Sequence, residues 1–191
     1  MQHRRSLRLK AYDYAKPDAY FVTIVTQGRV HRFGEIVDGV VRLSDAGRMV
    51  DYWIDELHEH FSSVSLDVSV VMPNHVHFVV VIADPVGADR CVRPSVPASQ
   101  RARPGEPRGT HIGVPLQGDA LPTIVQWFKT MTTNAYIRGV ANHVWSSFDS
   151  RLWQRNYYEH VIRDERELDA LRDYVTDNPV GWQNDCERHA L

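Results

Sequence analysis

The sequence predicts a single α+β domain, a mainly antiparallel sheet with packed helices in a ferredoxin-like arrangement. Two observations lead to this class. Strand-like and helix-like segments follow one another in the order β, α, β, β, α, β, α, with no internal repeat. The chain has 191 residues, 43% of them hydrophobic and 24% charged, which suffices for one well-buried core.

A strand and a hairpin are predicted near the N-terminus. Ala19–Gln27 (AYFVTIVTQ) is rich in β-branched and aromatic residues, which favour extended structure. Asp38-Gly39 is typical of a tight turn, so the short pieces around Ile36 and Val41 are expected to pair as a hairpin.

A helix is predicted to begin after Ser44, whose hydroxyl is suited to cap its N-terminus. The simplest interpretation of the residues that follow is a helix with one face packed on the core. Apolar residues recur there at three- and four-residue steps, which indicates a single buried stripe: Ala46, Met49, Val50, Trp53, Ile54, Leu57 and Phe61.

Two strands, Leu66–Val71 and His75–Ile82, are predicted on either side of Met72-Pro73-Asn74, where Pro and Asn favour a tight connection. The composition then changes, since residues 83–120 contain six of the ten prolines and several arginines. This stretch is interpreted as a long surface insertion within one domain. It is either a plain loop or a segment that carries arginines to DNA.

Two helices separated by a short strand are predicted after the insertion. Leu121–Arg138 shows apolar periodicity and has Pro122 in its first turn. A short strand is expected at Asn156–Val161. The last helix is predicted to begin after Asp164, which pairs with Glu167 as a capping box.

The buried side of this last helix is expected to consist of Leu168, Leu171 and Val175. The helix is predicted to end near Asn178, because Asn178 precedes Pro179 and a residue before a proline disfavours α-helical geometry.

Positive charge is concentrated locally. The formal net charge is −2, from 22 Lys and Arg against 24 Asp and Glu, which excludes a uniformly basic surface. We divide the chain into a basic N-terminal arm (1–18), a domain (19–182) and a C-terminal tail (183–191). The basic residues of the arm are either solvated or in contact with a phosphate backbone: Arg4, Arg5, Arg8 and Lys10.

A cytoplasmic location is expected. Cys91 and Cys186 are too few for a disulfide framework and fit a reducing compartment. The basic N-terminus is not followed by the apolar segment of a secretory signal. No apolar run approaches the roughly 20 residues that cross a bilayer.

His75 and His77 are the first candidates for chemistry. On a strand, residues i and i+2 point to the same face, so the two imidazoles are expected side by side, with Val76 facing the other way. Such a pair is half of a metal site, or else a hydrogen-bonded pair with no ligand. The signatures His-Glu-x-x-His, paired zinc cysteines, a phosphate-binding glycine loop and a nucleophile elbow are all absent from the sequence.

Tyr174 and Asn178 supply a second half for such a site. They are four residues apart and therefore share one face of the last helix. Taken alone, Tyr174 packs at the rim of the core and Asn178 ends the helix. Together with the histidines, they complete the inventory for a metal-assisted tyrosine nucleophile that acts on a phosphodiester.

The sequence resembles the single-tyrosine HUH transposases, in particular the REP-associated tyrosine transposases of bacteria. The resemblance spans residues 20–182 apart from the insertion. Its most specific parts are MPNHVH followed later by RDERE and DYVTDNP. The matching segments are YFVTIVTQGR, FGEI, LSDAGRMV, VVMPNHVHFVVV, IVQWFKTMTT, LWQRNYYEHVIRDERE and DYVTDNP.

The resemblance implies the HUH-endonuclease form of the predicted fold, a divalent ion (Mg²⁺ or Mn²⁺) and a tyrosine nucleophile. It implies that His75, His77 and Asn178 are the metal ligands and that Tyr174 is the nucleophile. The expected DNA contacts combine the four basic residues of the arm with Arg29 and Lys129.

Neighbouring residues have lesser expected roles. Tyr157 and Tyr158 lack an asparagine one turn later, so we expect them to hold the sheet edge or to stack on DNA. His160 is either a helper of the reaction or a structural histidine.

In the implied reaction, Tyr174 attacks single-stranded DNA beside a small hairpin and leaves a 5′-phosphotyrosine link and a free 3′-hydroxyl. The ion acts as a Lewis acid. A free phenol has a pKa near 10, so the attacking group needs help to lose its proton. The link conserves the phosphodiester energy, so ATP is not required.

Other functions stay open at this point. One is a non-catalytic protein of the same fold that binds single-stranded or hairpin DNA. Another is a metal-dependent hydrolase in which Tyr174 is structural. The resemblance favours a monomer over a dimer, and a place in the cytoplasm in association with the nucleoid.

Overall fold

The computed structural model describes residues 18–83 and 120–182. It confirms an α+β domain with a mainly antiparallel sheet and packed helices. The strands are β1 Asp18–Val25, β2 Gly34–Val37, β3 Val40–Leu43, β4 Val64–Val71, β5 His75–Ile82 and β6 Tyr158–Ile162. The helices are α1 Asp45–His60, α2 Leu121–Ala141 and α3 Glu165–Gly181.

The main sheet has the strand order β4-β5-β1-β6, and every neighbouring pair is antiparallel. β1 therefore lies inside the sheet, between β5 and β6. This order and the two crossover helices make the arrangement ferredoxin-like, as predicted. β2 and β3 form a separate two-stranded ribbon.

The sheet is covered on both faces, and the alternation of side chains along β1 separates two clusters. Tyr20, Val22 and Ile24 join the larger cluster, which includes residues of α1 and α2. Phe21 joins a smaller cluster with Val175 of α3. Because both faces are buried, β1 is a nearly continuous apolar run rather than an alternating one.

The predicted hairpin turn and the predicted start of the first helix are confirmed. Asp38 and Gly39 have φ values of 52° and 74°, the left-handed geometry of a two-residue hairpin turn. The hydroxyl of Ser44 accepts a hydrogen bond from the Gly47 N–H at 3.1 Å and so caps α1. β1 is shorter than predicted, because Gln27–Arg29 forms a 3₁₀ turn.

The prediction that the last helix ends near Asn178 is wrong. α3 continues through Pro179 to Gly181, and the Trp182 N–H bonds the Pro179 carbonyl. Proline in a helix forfeits one backbone hydrogen bond. The extension carries Trp182 into contact with His75, at 6.0 Å between ring centroids, and leaves it 7% exposed. Burial of this large ring offsets the local preference against helix.

The predicted capping box is half formed. Asp164 caps α3 by accepting the Glu167 N–H at 2.9 Å. The Glu167 carboxylate does not return to the Asp164 N–H as a capping box requires. It accepts the Arg163 N–H at 2.7 Å with one oxygen and contacts His160 with the other. The contact of Glu167 with His160 of β6 thus takes the place of the hydrogen bond to the Asp164 N–H that would complete the capping box.

Several predictions concern residues outside the described ranges. The basic arm with Arg4, Arg5, Arg8 and Lys10, most of the insertion at 83–120, and the tail at 183–191 all lie there. Within the described ranges, no helix is long and apolar enough to cross a membrane.

Gly47 permits the close approach of α1 to the preceding loop. A Cβ atom at this position would overlap the carbonyl oxygen of Phe33. That oxygen accepts the Ser44 N–H at 2.9 Å and cannot move freely. We expect Gly47→Ala to lower the free energy of unfolding by about 1–3 kcal/mol, measured by urea denaturation followed by circular dichroism.

Gly181→Ala is the matched control for this substitution, because nothing lies within 4 Å of a Cβ atom built there. Alanine favours helix over glycine, so this change should leave stability unchanged or raise it by up to about 1 kcal/mol. Equal effects of the two substitutions would contradict the steric argument.

Candidate active site

His75 and His77 lie side by side on β5, as the strand alternation predicts. Both are buried, with 0% and 2% of their surface exposed. Their Nε2 atoms are 2.9 Å apart, so they converge on one point. The face they share is the one that α3 covers, because Val79, the next residue on that side, packs in the cluster with Val175.

A chain of hydrogen bonds sets the proton positions on the two rings. The Asn74 amide nitrogen donates to the Arg29 carbonyl at 3.1 Å, which turns the amide oxygen towards His75. His75 Nδ1 then donates to that oxygen at 2.8 Å and leaves its Nε2 as an acceptor. His77 Nε2 donates to His75, and the Thr23 hydroxyl donates to His77 Nδ1 at 2.8 Å.

Both imidazoles are neutral at neutral pH. Burial lowers the pKa of His77 to about 3. Burial holds the pKa of His75 well below its usual value, and the electrostatic influence of the neighbouring His77, Arg29 and His31 lowers it further. Neutral imidazole is the form that binds metal ions.

The structure places Tyr174 against this pair. Its ring centroid lies 5.4 Å from that of His77, in an edge-to-face arrangement. Phe21 packs against both, at 5.2 Å from His77 and 5.9 Å from Tyr174. Tyr174 is 45% exposed, so a macromolecular substrate can reach it.

Asn178 lies on α3 between two residues that contact the histidines, Tyr174 of the helix and Trp182 directly after it. Tyr174, one turn earlier, meets His77, and Trp182, one turn later, stacks on His75. Asn178 therefore faces the pair. It is 5% exposed, and its Oδ1 has no hydrogen-bond partner among the described residues. A buried amide oxygen without a partner is costly, which makes it a suitable ligand atom.

These residues fit a divalent ion. Two ligands at about 2.1 Å from one ion and at right angles stand about 3 Å apart, close to the 2.9 Å between the Nε2 atoms. The described residues contain no group of three or more His, Cys, Asp and Glu suited to a metal. A third protein ligand would have to be another residue type, and the amide oxygen of Asn178, which has no partner among the described residues, is the candidate.

A cleft of about 470 Å³ opens beside Tyr174, on the α3 face of the sheet. It provides apolar and aromatic walls with imidazole and hydroxyl groups among them. Its lining residues are Phe21, Thr23, His77, Tyr158, His160, Leu171 and Tyr174.

The structure gives Lys129 and Arg29 contacts within the protein. Lys129 Nζ donates to the carbonyl oxygens of Gln154, Arg155 and Asn156, at 3.0, 3.4 and 3.3 Å. It thereby holds the loop that precedes β6. Arg29 ends the 3₁₀ turn, and its carbonyl orients Asn74. Their contacts with DNA stay predictions.

Sequence reasoning missed the residues that orient the histidines. Asn74 directly precedes His75, so its position was a usable signal. Thr23 faces His77 because β1 pairs with β5 in a register that puts these residues opposite each other. Trp182 reaches His75 only because α3 continues past Pro179.

Comparisons with known proteins bear on the family and the fold of this chain. No family model matches the chain. An uncharacterized protein of Haemophilus influenzae (strain ATCC 51907 / DSM 11121 / KW20 / Rd) is 32% identical over 188 residues, which are 97% of this chain and 93% of that protein.

Two solved structures align along nearly the whole chain. A REP-associated tyrosine transposase bound to a REP hairpin gives a TM-score of 0.52 at 17% identity, over 95% of this chain and 74% of its own. A candidate transposase from Deinococcus radiodurans gives 0.43 at 16% identity, over 96% and 100%. The alignment with the first structure shows that this chain shares the fold of the REP-associated tyrosine transposase, which confirms the predicted transposase-like architecture.

Asn178 should lower the stability of the metal-free protein. An unsatisfied buried acceptor costs about 1–3 kcal/mol. We therefore expect Asn178→Leu to raise the free energy of unfolding by about 1 kcal/mol in buffer with EDTA, measured by urea denaturation.

Thr132→Val is the control, for which the free energy of unfolding should fall rather than rise. The Thr132 hydroxyl is buried and satisfied, since it donates to the Phe128 carbonyl at 2.7 Å and accepts from Trp153 Nε1 at 2.8 Å. Its loss should lower stability by about 1–3 kcal/mol. A loss of stability in Asn178→Leu would show that the amide is not a destabilising group.

Proposed function

The chain belongs to the same family as the Haemophilus influenzae protein and has the fold of a REP-associated tyrosine transposase. From this premise we propose that it is a metal-dependent transposase. It would cut and rejoin single-stranded DNA through a 5′-phosphotyrosine intermediate. The observation that carries the proposal is the placement of an accessible Tyr174 beside a buried pair of neutral imidazoles, 5.4 Å from the ring of His77.

Each residue has one role in the proposed reaction. Tyr174 attacks the scissile phosphate with its phenolic oxygen. His75, His77 and Asn178 would hold Mg²⁺ or Mn²⁺. Two imidazoles make the site softer than an all-oxygen magnesium site, so manganese should serve well. When bound, the ion neutralises charge on the phosphate. Phe21 packs against both His77 and Tyr174 and so fixes the distance between nucleophile and metal ligands.

Single-stranded DNA with a hairpin is the proposed substrate. The similar transposase was solved on a REP hairpin. Here the cleft presents Tyr158, which is 51% exposed, as a surface on which an unpaired base can stack. With a net charge of −2, phosphate binding would rely on a local patch and would weaken as salt rises. The proposed patch consists of Arg4, Arg5, Arg8, Lys10, Arg29 and Lys129.

A monomer suffices for this reaction, because nucleophile and metal ligands come from one chain. With DNA as the proposed substrate, we propose that the protein acts in the cytoplasm in association with the nucleoid.

Tyr174→Phe should abolish covalent attachment to DNA, because it removes the attacking oxygen and keeps the ring. We propose to incubate the protein with labelled single-stranded hairpin DNA and Mn²⁺ and to resolve the products on a denaturing gel. The wild type should give a slow protein–DNA band that proteinase removes, and Tyr174→Phe should give none.

Tyr158→Phe is the matched control, since Tyr158 lines the same cleft and also carries a hydroxyl. It should keep the band. DNA binding by the wild type without a band would instead identify a non-catalytic DNA-binding protein. Cleavage that survives in Tyr174→Phe would identify a different metal-dependent nuclease.

Thr23 should tune metal affinity through His77. When His77 Nε2 faces an ion, its Nδ1 carries the proton and donates to the Thr23 hydroxyl, which can accept as well as donate. We expect Thr23→Val to weaken Mn²⁺ binding about 10–100-fold, measured by calorimetry. Thr130→Val, on the exposed side of α2, should leave the affinity unchanged. An unaltered affinity in Thr23→Val would contradict the proposed role of Thr23 in orienting His77 as a ligand.

A further inference from the structure

A second histidine shares the cleft with Tyr174. His160 lies on β6 opposite Phe21 of β1, and the Phe21 ring packs edge-on against Tyr174 at 5.9 Å. His160 and Tyr174 both line the cleft. Neither belongs to the group of proposed metal ligands, so the imidazole of His160 is available for proton transfer at this position.

Glu167 fixes the orientation of His160. The distance from Glu167 Oε1 to His160 Nε2 is 2.6 Å, and Oε2 accepts the Arg163 N–H at 2.7 Å. The Arg163 N–H, and then the hydrogen bond to His160, lower the pKa of Glu167, so the group is a carboxylate at neutral pH. A carboxylate only accepts hydrogen bonds. Nε2 must therefore carry a proton, and in the neutral ring Nδ1 carries the lone pair.

This pair also explains the incomplete capping box of α3. Glu167 occupies the position from which a capping glutamate would accept the Asp164 N–H. Its carboxylate instead contacts His160 of β6 with one oxygen and accepts the Arg163 N–H with the other. Glu167, Leu171, Tyr174 and Asn178 follow one another at three- and four-residue steps along α3. One stripe of this helix thus holds the nucleophile, a proposed metal ligand and the partner of His160.

We propose that His160 is a catalytic residue that accepts the phenolic proton of Tyr174, directly or through one water, with Glu167 as its positioning residue. This inference rests on the proposed function. A phenol attacks efficiently only as it loses its proton, and the transposase reaction otherwise leaves the acceptor undefined.

The step balances in atoms and charge. As the Tyr174 oxygen forms its bond to phosphorus, its proton moves to Nδ1 of His160. The bond between phosphorus and the 3′-oxygen breaks, and the electron pair leaves with that oxygen, which takes a proton from solvent. The imidazolium that forms lies beside the Glu167 carboxylate, which stabilises its charge. When a 3′-hydroxyl later attacks the link, its proton goes to solvent as it bonds to phosphorus, the bond between phosphorus and the phenolic oxygen breaks, and His160 returns the proton to that oxygen.

The test compares single-turnover rates of covalent attachment to labelled hairpin DNA with Mn²⁺. We expect His160→Ala to lower the rate about 100-fold or more, with DNA affinity by fluorescence anisotropy unchanged. Added imidazole should restore part of the rate, because it supplies the missing base. A purely structural role would not respond to imidazole.

Two further variants keep the test decisive. His160→Gln retains an N–H for Glu167 but has no basic nitrogen, so it should be as slow as His160→Ala even if the alanine variant folds poorly. His58→Ala is the matched control, because His58 forms a similar pair with Glu59 at 3.2 Å on α1, outside the cleft. It should react at the wild-type rate.

The outcomes separate the two proposals. A wild-type rate in His160→Gln, or a slow His160→Ala that imidazole does not rescue, would overturn the role of His160 and leave the transposase proposal standing. Failure of the wild type to form any adduct would overturn the proposed function, and this inference with it.

Discussion

The antiparallel pairing of β1 with β5 is the constraint on which the candidate site depends. Its register sets Thr23 opposite His77 and Phe21 opposite Val79. The same pairing sends alternate side chains of β1 to the two faces of the sheet, so one strand serves both the main core and the site. A slip of one residue would exchange the faces and remove both the hydrogen bond to His77 and the ring that packs against Tyr174.

The site concentrates polar groups where burial makes them costly. Asn74, His75, His77 and Asn178 are all buried, and only a network with defined donors and acceptors makes this tolerable. Asn74 satisfies His75, whereas the Asn178 oxygen has no partner among the described residues. Such an imbalance is typical of positions selected for binding rather than stability, because a ligand can supply the missing partner.

α3 links the parts of the site that lie far apart in the sequence. Its buried side holds the helix on the sheet through Val175, and its neighbouring stripe carries Glu167, Tyr174 and Asn178. The helix is rigid, so packing on one side sets the position of the groups on the other. The continuation of α3 through Pro179 serves the same end, because it seats Trp182 on His75. The proposed proton transfer and metal binding thus depend on one helix docking against one face.

Much of this architecture could be predicted because its signals are local. The alternation along β5 placed His75 and His77 on one face, the periodicity of α1 gave its buried side, and Asp38-Gly39 gave the hairpin turn. Contacts between distant segments could not be predicted in this way. Thr23 and His77 are 54 residues apart, and their hydrogen bond exists only once the strand register is set. Likewise, the preference of a residue before proline against helix predicted that α3 ends at Asn178. The burial of Trp182, which lies beyond that residue, outweighs this local preference. Local patterns carry the preferences of a few neighbouring residues, whereas strand register and helix docking are fixed by burial summed over the whole core.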